Sequence, residues 1–121
     1  MAIRHVLVVD DSCVDHLVVS RVLQSCNIKV TVVEGPKEAL KFWAMEHDVN
    51  LIVTDYCMPK MTGYDLLMEV KNSPKISHLP VVIMCTDDVP TRIKKCLDGG
   101  AKGYIIKPIK VIDVPDLLRY I

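Results

Sequence analysis

Neither charge sign dominates this sequence, and it has no long hydrophobic run. Lysine and arginine together number 15, as do aspartate and glutamate, among 121 residues. Such a balance gives no reason to expect a chain-wide attraction to nucleic acid or to an anionic membrane. The apolar stretches are far shorter than the ~20 residues of a membrane-spanning helix. We therefore expect no direct binding to nucleic acid or membrane.

Cysteines with metal-type spacing are also missing. Their count is odd, none form a C-x-x-C pair, and the four histidines are scattered. These features exclude the usual patterns of zinc sites and disulfide frameworks. A strand-like run begins within a few residues of Met1, so we expect no signal peptide. Reduced thiols and an intracellular location, in the cytoplasm or nucleus, are expected; the cysteines are Cys13, Cys26, Cys57, Cys85 and Cys96.

What the sequence has is a fivefold alternation of short apolar runs and amphipathic runs. The apolar runs are rich in Val and Ile and do not alternate with polar residues, which is typical of strands covered on both faces. No linker or repeat interrupts the pattern, so residues 1–121 are expected to form a single domain with no output domain. The predicted strands are His5–Val9, Val30–Val33, Leu51–Thr54, Val81–Met84 and Tyr104–Ile106.

Each amphipathic run has a recognisable helix start, and two starts have the spacing of a capping box. The predicted starts are Ser12 with Asp15, Gly35-Pro36, Thr62 with Asp65, Asp88 and Asp113, and Gly99-Gly100 is the predicted stop of the fourth helix. The side chains expected to face the core are Val14, Leu17, Val18 and Val22, then Ala39, Leu40 and Trp43, then Leu66, Leu67 and Val70, then Ile93, Cys96 and Leu97, and last Val114, Leu117, Leu118 and Ile121.

This alternation predicts an α/β fold with a parallel sheet between two layers of helices. Five units are too few to close a barrel of eight. The expected form is a flavodoxin-like doubly wound sheet of five strands, in the order 2-1-3-4-5, with five helices. In such sheets the functional site lies beyond the carboxyl ends of the strands, where the first and third strands meet.

Polar residues follow those carboxyl ends: Asp10-Asp11, Asp55, Cys85-Thr86 and Lys107-Pro108. Carboxylates within a few Å repel one another and need a cation. An oxygen-only site with open positions suits Mg²⁺, or Mn²⁺ in its place. Taken singly, these residues are ordinary caps, turn formers and a solvated lysine. Their coincidence at equivalent strand ends favours a site where a phosphoryl group meets a metal ion and an ammonium group.

The sequence resembles the receiver domains of response regulators. The resemblance rests on Val8–Ser12, Thr54–Gly63 and Lys107-Pro108, and it covers essentially the whole chain. The residues around Asp55 are most similar to those of plant type-A regulators of cytokinin signalling. The family implies a two-component phosphorelay in which Asp55 accepts a phosphoryl group.

The resemblance also implies roles for the neighbouring residues and for partners. The phosphodonor would be a histidine-containing phosphotransfer protein, which would dock near the first helix. Downstream signalling proteins would bind the face formed by the fourth helix, fifth strand and fifth helix. The protein itself would be a monomer or a weak phosphorylation-dependent dimer. The implied roles are Mg²⁺ binding by Asp10, Asp11, Asp55 and the Cys57 carbonyl, phosphoryl binding by Lys107, Cys85 and Thr86, switching by Tyr104 and Cys85, tuning of the phosphate lifetime by Cys57 and Asp87, and a cis bond before Pro108.

Cys85 departs from the family, which normally has Thr or Ser at this position. A thiol is larger than a hydroxyl and a weaker hydrogen-bond donor. We expect phosphorylation to persist and the response of Tyr104 to be weaker. Thr86 could substitute only if the strand has already ended, because neighbours on a strand point to opposite faces.

Three other functions fit part of the pattern. A degenerate receiver could act as a phosphorylation-independent binding module, and Cys85 is the feature that favours it. Phosphatases with an aspartate nucleophile need a second acid two residues later, where this chain has Cys57. A nucleotide-binding flavodoxin-like protein is disfavoured because the sequence has no G-x-G-x-x-G turn. We expect a phosphoacceptor domain that catalyses only its own phosphorylation and dephosphorylation, in a negative-feedback regulator.

Overall fold

The computed structural model describes residues 4–44, 48–58 and 61–121. Five strands form one parallel sheet in the order β2-β1-β3-β4-β5, which confirms the predicted fold class and topology. Pro59 and Lys60, in the family-like segment after Asp55, lie outside the described residues, as does the side chain of Cys13. The strands are β1 (His5–Val9), β2 (Lys29–Val33), β3 (Leu51–Asp55), β4 (Val81–Cys85) and β5 (Gly103–Ile106).

The helices alternate with the strands as predicted. Pro36 occupies the first turn of the second helix, and Thr62 with Asp65 forms a reciprocal capping box at the third. Gly100 adopts a φ of +112° after the fourth helix, a conformation that favours glycine as the helix stop. The helices are α1 (Cys13–Gln24), α2 (Pro36–Trp43), α3 (Gly63–Lys71), α4 (Pro90–Asp98) and α5 (Val114–Leu118), the last preceded by a 3₁₀ turn (Val111–Asp113).

The sheet separates two hydrophobic layers because successive strand residues point to opposite faces. On β1, Leu7 and Val9 pack with residues of α2, α3 and α4, whereas Val6 and Val8 pack with residues of α1 and α5. All four side chains are at most 1% exposed. Each such burial stabilises the fold by roughly 1.5–3 kcal/mol. This packing fixes the carboxyl ends of the central strands, where the candidate site lies.

The prediction that every strand is covered on both faces is wrong for the two edge strands. The central strands β1, β3 and β4 are buried throughout, but β2 and β5 are largely half-buried. An edge strand has a neighbour on one side only, so its side chains keep partial contact with solvent. No helix in the described part of the chain has the length and apolar composition to span a membrane.

The predicted core face of α1 is wrong for three of its four residues, whereas Val22 packs against the core as predicted. Val14, Leu17 and Val18 are exposed by 71%, 52% and 37%, while Val19 and Leu23 are buried. The helix is apolar on several sides, so its periodicity did not identify the side that meets the sheet. The structure therefore leaves an exposed apolar face on α1 next to the carboxyl end of β1.

Smaller corrections concern the other helices. Asp88 does not begin α4, because Val89 is its N-cap residue and makes no side-chain capping hydrogen bond. Asp113 immediately precedes α5, but at the end of a 3₁₀ turn and without a side-chain capping bond. Three side chains predicted to face the core lie at its rim and are exposed by 39–44%: Leu40, Leu97 and Ile121.

Candidate functional site

The carboxyl ends of β1, β3 and β5 bring Asp10, Asp55 and Lys107 together. Lys107 Nζ lies 3.0 Å from Asp10 Oδ2 and 3.1 Å from Asp55 Oδ1. Strand alternation directs all three toward the α1 and α5 side of the sheet. Asp10 is fully buried and Asp55 is 6% exposed. The predicted convergence of these side chains is therefore present in the folded chain.

Asp11 completes a group of three carboxylates at the mouth of this site. Oxygens of Asp10, Asp11 and Asp55 all lie within 4.8 Å of one another, and Asp11 is exposed to solvent. An oxygen-only donor set that is open on one side fits the coordination preference of Mg²⁺. Cys57, two residues after Asp55, is exposed in the loop that follows β3.

The electrostatics of the site favour an added cation. Burial raises the pKa of Asp55 above its ordinary value, as does the charge of Asp10, and Lys107 opposes both effects. Burial alone would lower the pKa of Lys107, but hydrogen bonds to Asp15, Asp10 and Asp55 raise it above its ordinary value. Lys107 is therefore an ammonium ion at neutral pH, and its single charge does not fully compensate the carboxylates around it.

Asp15 belongs to this cluster and was missed as a site residue. Lys107 Nζ donates a hydrogen bond to Asp15 Oδ2 at 2.9 Å. The capping box predicted with Ser12 is half present: the Asp15 amide donates to Ser12 Oγ, but the Ser12 amide donates to Asp10 Oδ1. The contact of Asp15 with Lys107 joins residues that are 92 positions apart in the sequence, so no local spacing could have revealed it.

The end of β4 directs its two polar side chains to different places. Cys85 is the last strand residue, is 1% exposed and alternates with Met84, so it lies toward α4. Its Sγ accepts hydrogen bonds from Arg92 Nη1 at 3.3 Å and from the Asp87 amide at 3.5 Å. Thr86 is exposed beyond the strand end and lines a cavity of about 160 Å³ together with Lys107. Thr86 could replace the missing hydroxyl only if β4 had already ended, and β4 does end at Cys85.

Arg92, which sequence reasoning did not single out, organises the α4 side of the site. Its Nη1 lies 3.3 Å from Asp87 Oδ2, and its guanidinium carbon lies 4.4 Å from the centre of the Tyr56 ring. The half-buried Tyr104 donates its hydroxyl to the Asp87 carbonyl at 3.0 Å. Burial opposes ionisation of Cys85, yet hydrogen bonds with Tyr104, the Asp87 amide and Arg92 lower the pKa of Cys85 below its ordinary value.

Comparison with known proteins identifies the class to which this fold and this site belong. Residues 6–119 match the response regulator receiver domain family, and the chain belongs to that family. It is 63% identical to the two-component response regulator ORR12 of Oryza sativa subsp. japonica, over the full length of both chains. It is 61% identical to ORR8 of Oryza sativa subsp. indica, again over both full lengths. The crystallised chemotaxis protein CheY4 of Vibrio cholerae is 28% identical with a TM-score of 0.89, and the match covers 99% of this chain and 100% of that one.

The cis bond expected before Pro108 is present. The family match and the relatives make the chain a receiver domain of the two-component phosphorelay family, similar in sequence to rice response regulators.

Proposed function

We propose that this receiver domain accepts a phosphoryl group on Asp55 from a histidine-containing phosphotransfer protein, with Mg²⁺ bound beside the aspartate. The observation that carries the proposal is the position of Asp55, 3.1 Å from Lys107 and within 4.8 Å of carboxylate oxygens of Asp10 and Asp11. In the reaction, an Asp55 oxygen attacks phosphorus while the bond from phosphorus to the donor imidazole nitrogen breaks. The electron pair of that bond returns to the imidazole.

The side chains around Asp55 have separate tasks in this transfer. Lys107 stays protonated and offers positive charge to the phosphoryl oxygens, and Asp10 and Asp15 hold its ammonium group in place. Asp10, Asp11, Asp55 and the carbonyl of Cys57 would hold Mg²⁺, which supplies further positive charge to the same oxygens. Thr86 is exposed next to Lys107 and can donate a hydroxyl hydrogen bond there.

The wider role that we propose is that of a cytokinin-type negative-feedback regulator acting in the cytoplasm or nucleus. Its support is the similarity of the residues around Asp55 to plant type-A regulators, together with the rice relatives. The domain would catalyse only the phosphorylation and dephosphorylation of its own Asp55. Downstream signalling proteins would bind the face of α4, β5 and α5. On this side Ile106 of β5 is exposed by 42%, and Val111 and Ile112 of the 3₁₀ turn before α5 are exposed by 60% and 78%.

Phosphoryl transfer from a radiolabelled histidine phosphotransfer protein tests the proposal. Wild-type protein with Mg²⁺ should become labelled, whereas Asp55→Asn and wild type with EDTA should not. The donor must label a second receiver in parallel, so that a negative result reflects this chain. Labelled Asp55→Asn would contradict the assignment of the phosphoacceptor.

One observation favours a second function, a receiver that binds partners without phosphorylation. The Cys85 thiol stands where the family has a hydroxyl. Arg92 and the Asp87 amide already donate hydrogen bonds to its sulfur. No label on the wild type, with a competent donor, would support this second function.

A further inference from the structure

Asp15 reaches the site from α1, whereas the other carboxylates follow the ends of strands. It lies in the first turn of that helix, and its Oδ2 accepts a hydrogen bond from Lys107 Nζ at 2.9 Å. The carboxylates proposed to bind Mg²⁺ are those of Asp10, Asp11 and Asp55. The side chain of Lys107 is 8% exposed, whereas that of Asp15 is 41% exposed. Asp15 is therefore the solvent-accessible partner of a largely enclosed ammonium group.

A phosphoryl group on Asp55 has to share Lys107 with Asp15. An oxygen that accepts a hydrogen bond from the ammonium group lies about 2.9 Å from Nζ, and Asp15 Oδ2 lies 2.9 Å from the same nitrogen. The phosphoryl oxygen and the Asp15 oxygen are then no more than about 6 Å apart. Both are negatively charged, so they repel each other while Asp15 stays in place. If Asp15 moves away instead, its hydrogen bond to Lys107 is lost.

Lys107 keeps a more deeply buried partner when the charge of Asp15 is removed. Asp10 Oδ2 lies 3.0 Å from Nζ, and Asp10 is fully buried. The other oxygen of Asp10 accepts the Ser12 amide at 2.9 Å, which fixes the orientation of this carboxylate. The backbone of Lys107 is fixed as well, because its amide donates to the Cys85 carbonyl at 2.8 Å. A neutral side chain at position 15 would therefore leave the ammonium group in place and make it more available to phosphoryl oxygens.

We propose that Asp15 is a positioning residue that restrains Lys107 and so weakens the binding of a phosphoryl group at Asp55. The inference rests on the proposed function, because it concerns the regulation of the same site. In the unphosphorylated protein the ion pair of Asp15 and Lys107 is intact, and in the phosphorylated protein it is strained or open. The first turn of α1 thereby opposes the phosphorylated state. Because solvent screens a half-exposed pair, the effect on an equilibrium constant is up to about fivefold.

Binding of the phosphoryl mimic beryllofluoride at saturating Mg²⁺ tests the proposal. Asp15→Asn keeps the size of the side chain and removes its charge, so its Kd should be about two- to fivefold lower than that of wild type. Asp15→Ser, a second neutral variant, should also bind more tightly, whereas Asp15→Glu restores the charge and should bind as wild type does. Asp98→Asn removes an exposed acid that pairs with Lys94 on α4, and it is the control for the loss of one negative charge. An NMR titration gives each Kd and shows that each variant is folded.

Salt separates an effect of charge from an effect of altered structure. Added salt screens charges, so the difference in Kd between Asp15→Asn and wild type should shrink as the salt concentration rises. Weaker binding by Asp15→Asn, or a difference that salt leaves unchanged, would overturn the proposal. Tight binding by wild type with no gain in either neutral variant would refute the restraint by Asp15 alone. If wild type binds no beryllofluoride and takes no label from a competent phosphodonor, the proposed function fails, and the role of Asp15 fails with it.

Discussion

Lys107 is held by three carboxylates at once, by hydrogen bonds to Asp10 and Asp15 and an ion pair with Asp55, which limits how it can meet a phosphoryl group. An ammonium group has three protons, and Asp10, Asp15 and Asp55 lie 3.0, 2.9 and 3.1 Å from it. Phosphoryl oxygens must therefore displace at least one of these partners. The side chain of Asp15 is 41% exposed, against 0% for Asp10 and 9% for Asp55. Water can replace Lys107 most readily at Asp15, so we infer that this contact opens first.

The raised pKa of Asp55 gives a stability prediction for the metal-free protein. The folded state holds the Asp55 proton more tightly than the unfolded state, whose pKa is near the ordinary 3.8. The free energy of unfolding should therefore fall as the pH rises from about 3.8 through the raised folded value. Asp55→Asn removes this pH dependence, so the free energy of unfolding of the variant relative to that of wild type should increase across that range. Urea unfolding in EDTA at several pH values measures the difference; a constant difference would contradict the prediction.

Replacement of Cys85 by serine should enlarge the conformational response. A hydroxyl is smaller than a thiol and donates stronger hydrogen bonds, so Cys85→Ser should couple a phosphoryl group more firmly to Tyr104. The shift of the Tyr104 ring signals on addition of beryllofluoride, a phosphoryl mimic, should be larger in the variant by NMR. Cys26→Ser, just beyond the C-terminal end of α1, is the control and should respond as wild type does. An unchanged Tyr104 shift in Cys85→Ser would remove the hypothesis.

Among the elements, α3 begins directly against the backbone of Asp55, the proposed phosphoacceptor. A Cβ atom on Gly63 would lie 2.6 Å from the Asp55 carbonyl oxygen and 3.0 Å from Tyr56 Cα, both backbone atoms that cannot turn aside. The Gly63 amide also donates to the Tyr56 carbonyl at 2.8 Å. The first turn of α3 and the end of β3 must therefore move together.

Gly63→Ala should lower the free energy of unfolding by about 1–3 kcal/mol, the usual cost of overpacking. Gly35→Ala is the matched control at the start of α2, where the added Cβ would meet the mobile end of Glu38 at 3.1 Å. Its effect should stay within about 0.5 kcal/mol. Chemical denaturation of both variants measures the contrast, and equal effects would show that the close approach at Gly63 is readily relieved.

The elements also show how far the sequence could predict this structure. Strand order and the meeting of Asp10, Asp55 and Lys107 follow from the regular alternation and from the shared edge of a parallel sheet. The core face of α1 did not follow, because Val14 and Val19 are equally apolar and the sheet decides which is covered. Arg92 was missed because its contacts with Cys85 and Tyr56 are tertiary and leave no mark in local spacing.

For the whole molecule, Mg²⁺ should stabilise the folded state, because the unfolded chain does not hold its carboxylates together. Ten times the Kd of Mg²⁺ should add about 1.4 kcal/mol to the free energy of unfolding and raise the Tm. Asp11→Asn should reduce this gain. Asp98→Asn alters an exposed acid paired with Lys94 on α4, and it should keep the full gain. Differential scanning calorimetry with and without Mg²⁺ gives the comparison, and an equal gain in Asp11→Asn would argue against its role as a ligand.

The acidic cluster also makes the molecule an electric dipole. Asp10, Asp11, Asp15 and Asp55 with Lys107 carry a formal charge of −3 at one edge of the sheet, whereas the whole chain carries zero. The rest of the protein therefore carries a balancing positive charge. At physiological ionic strength this field extends about 8 Å, far enough to orient an approaching ion or protein. A small cation would be drawn to the mouth of the site, whereas an anionic phosphohistidine would be repelled until that cation has arrived. The order of binding, metal first and donor second, is thus favoured by the charge distribution before any contact is made.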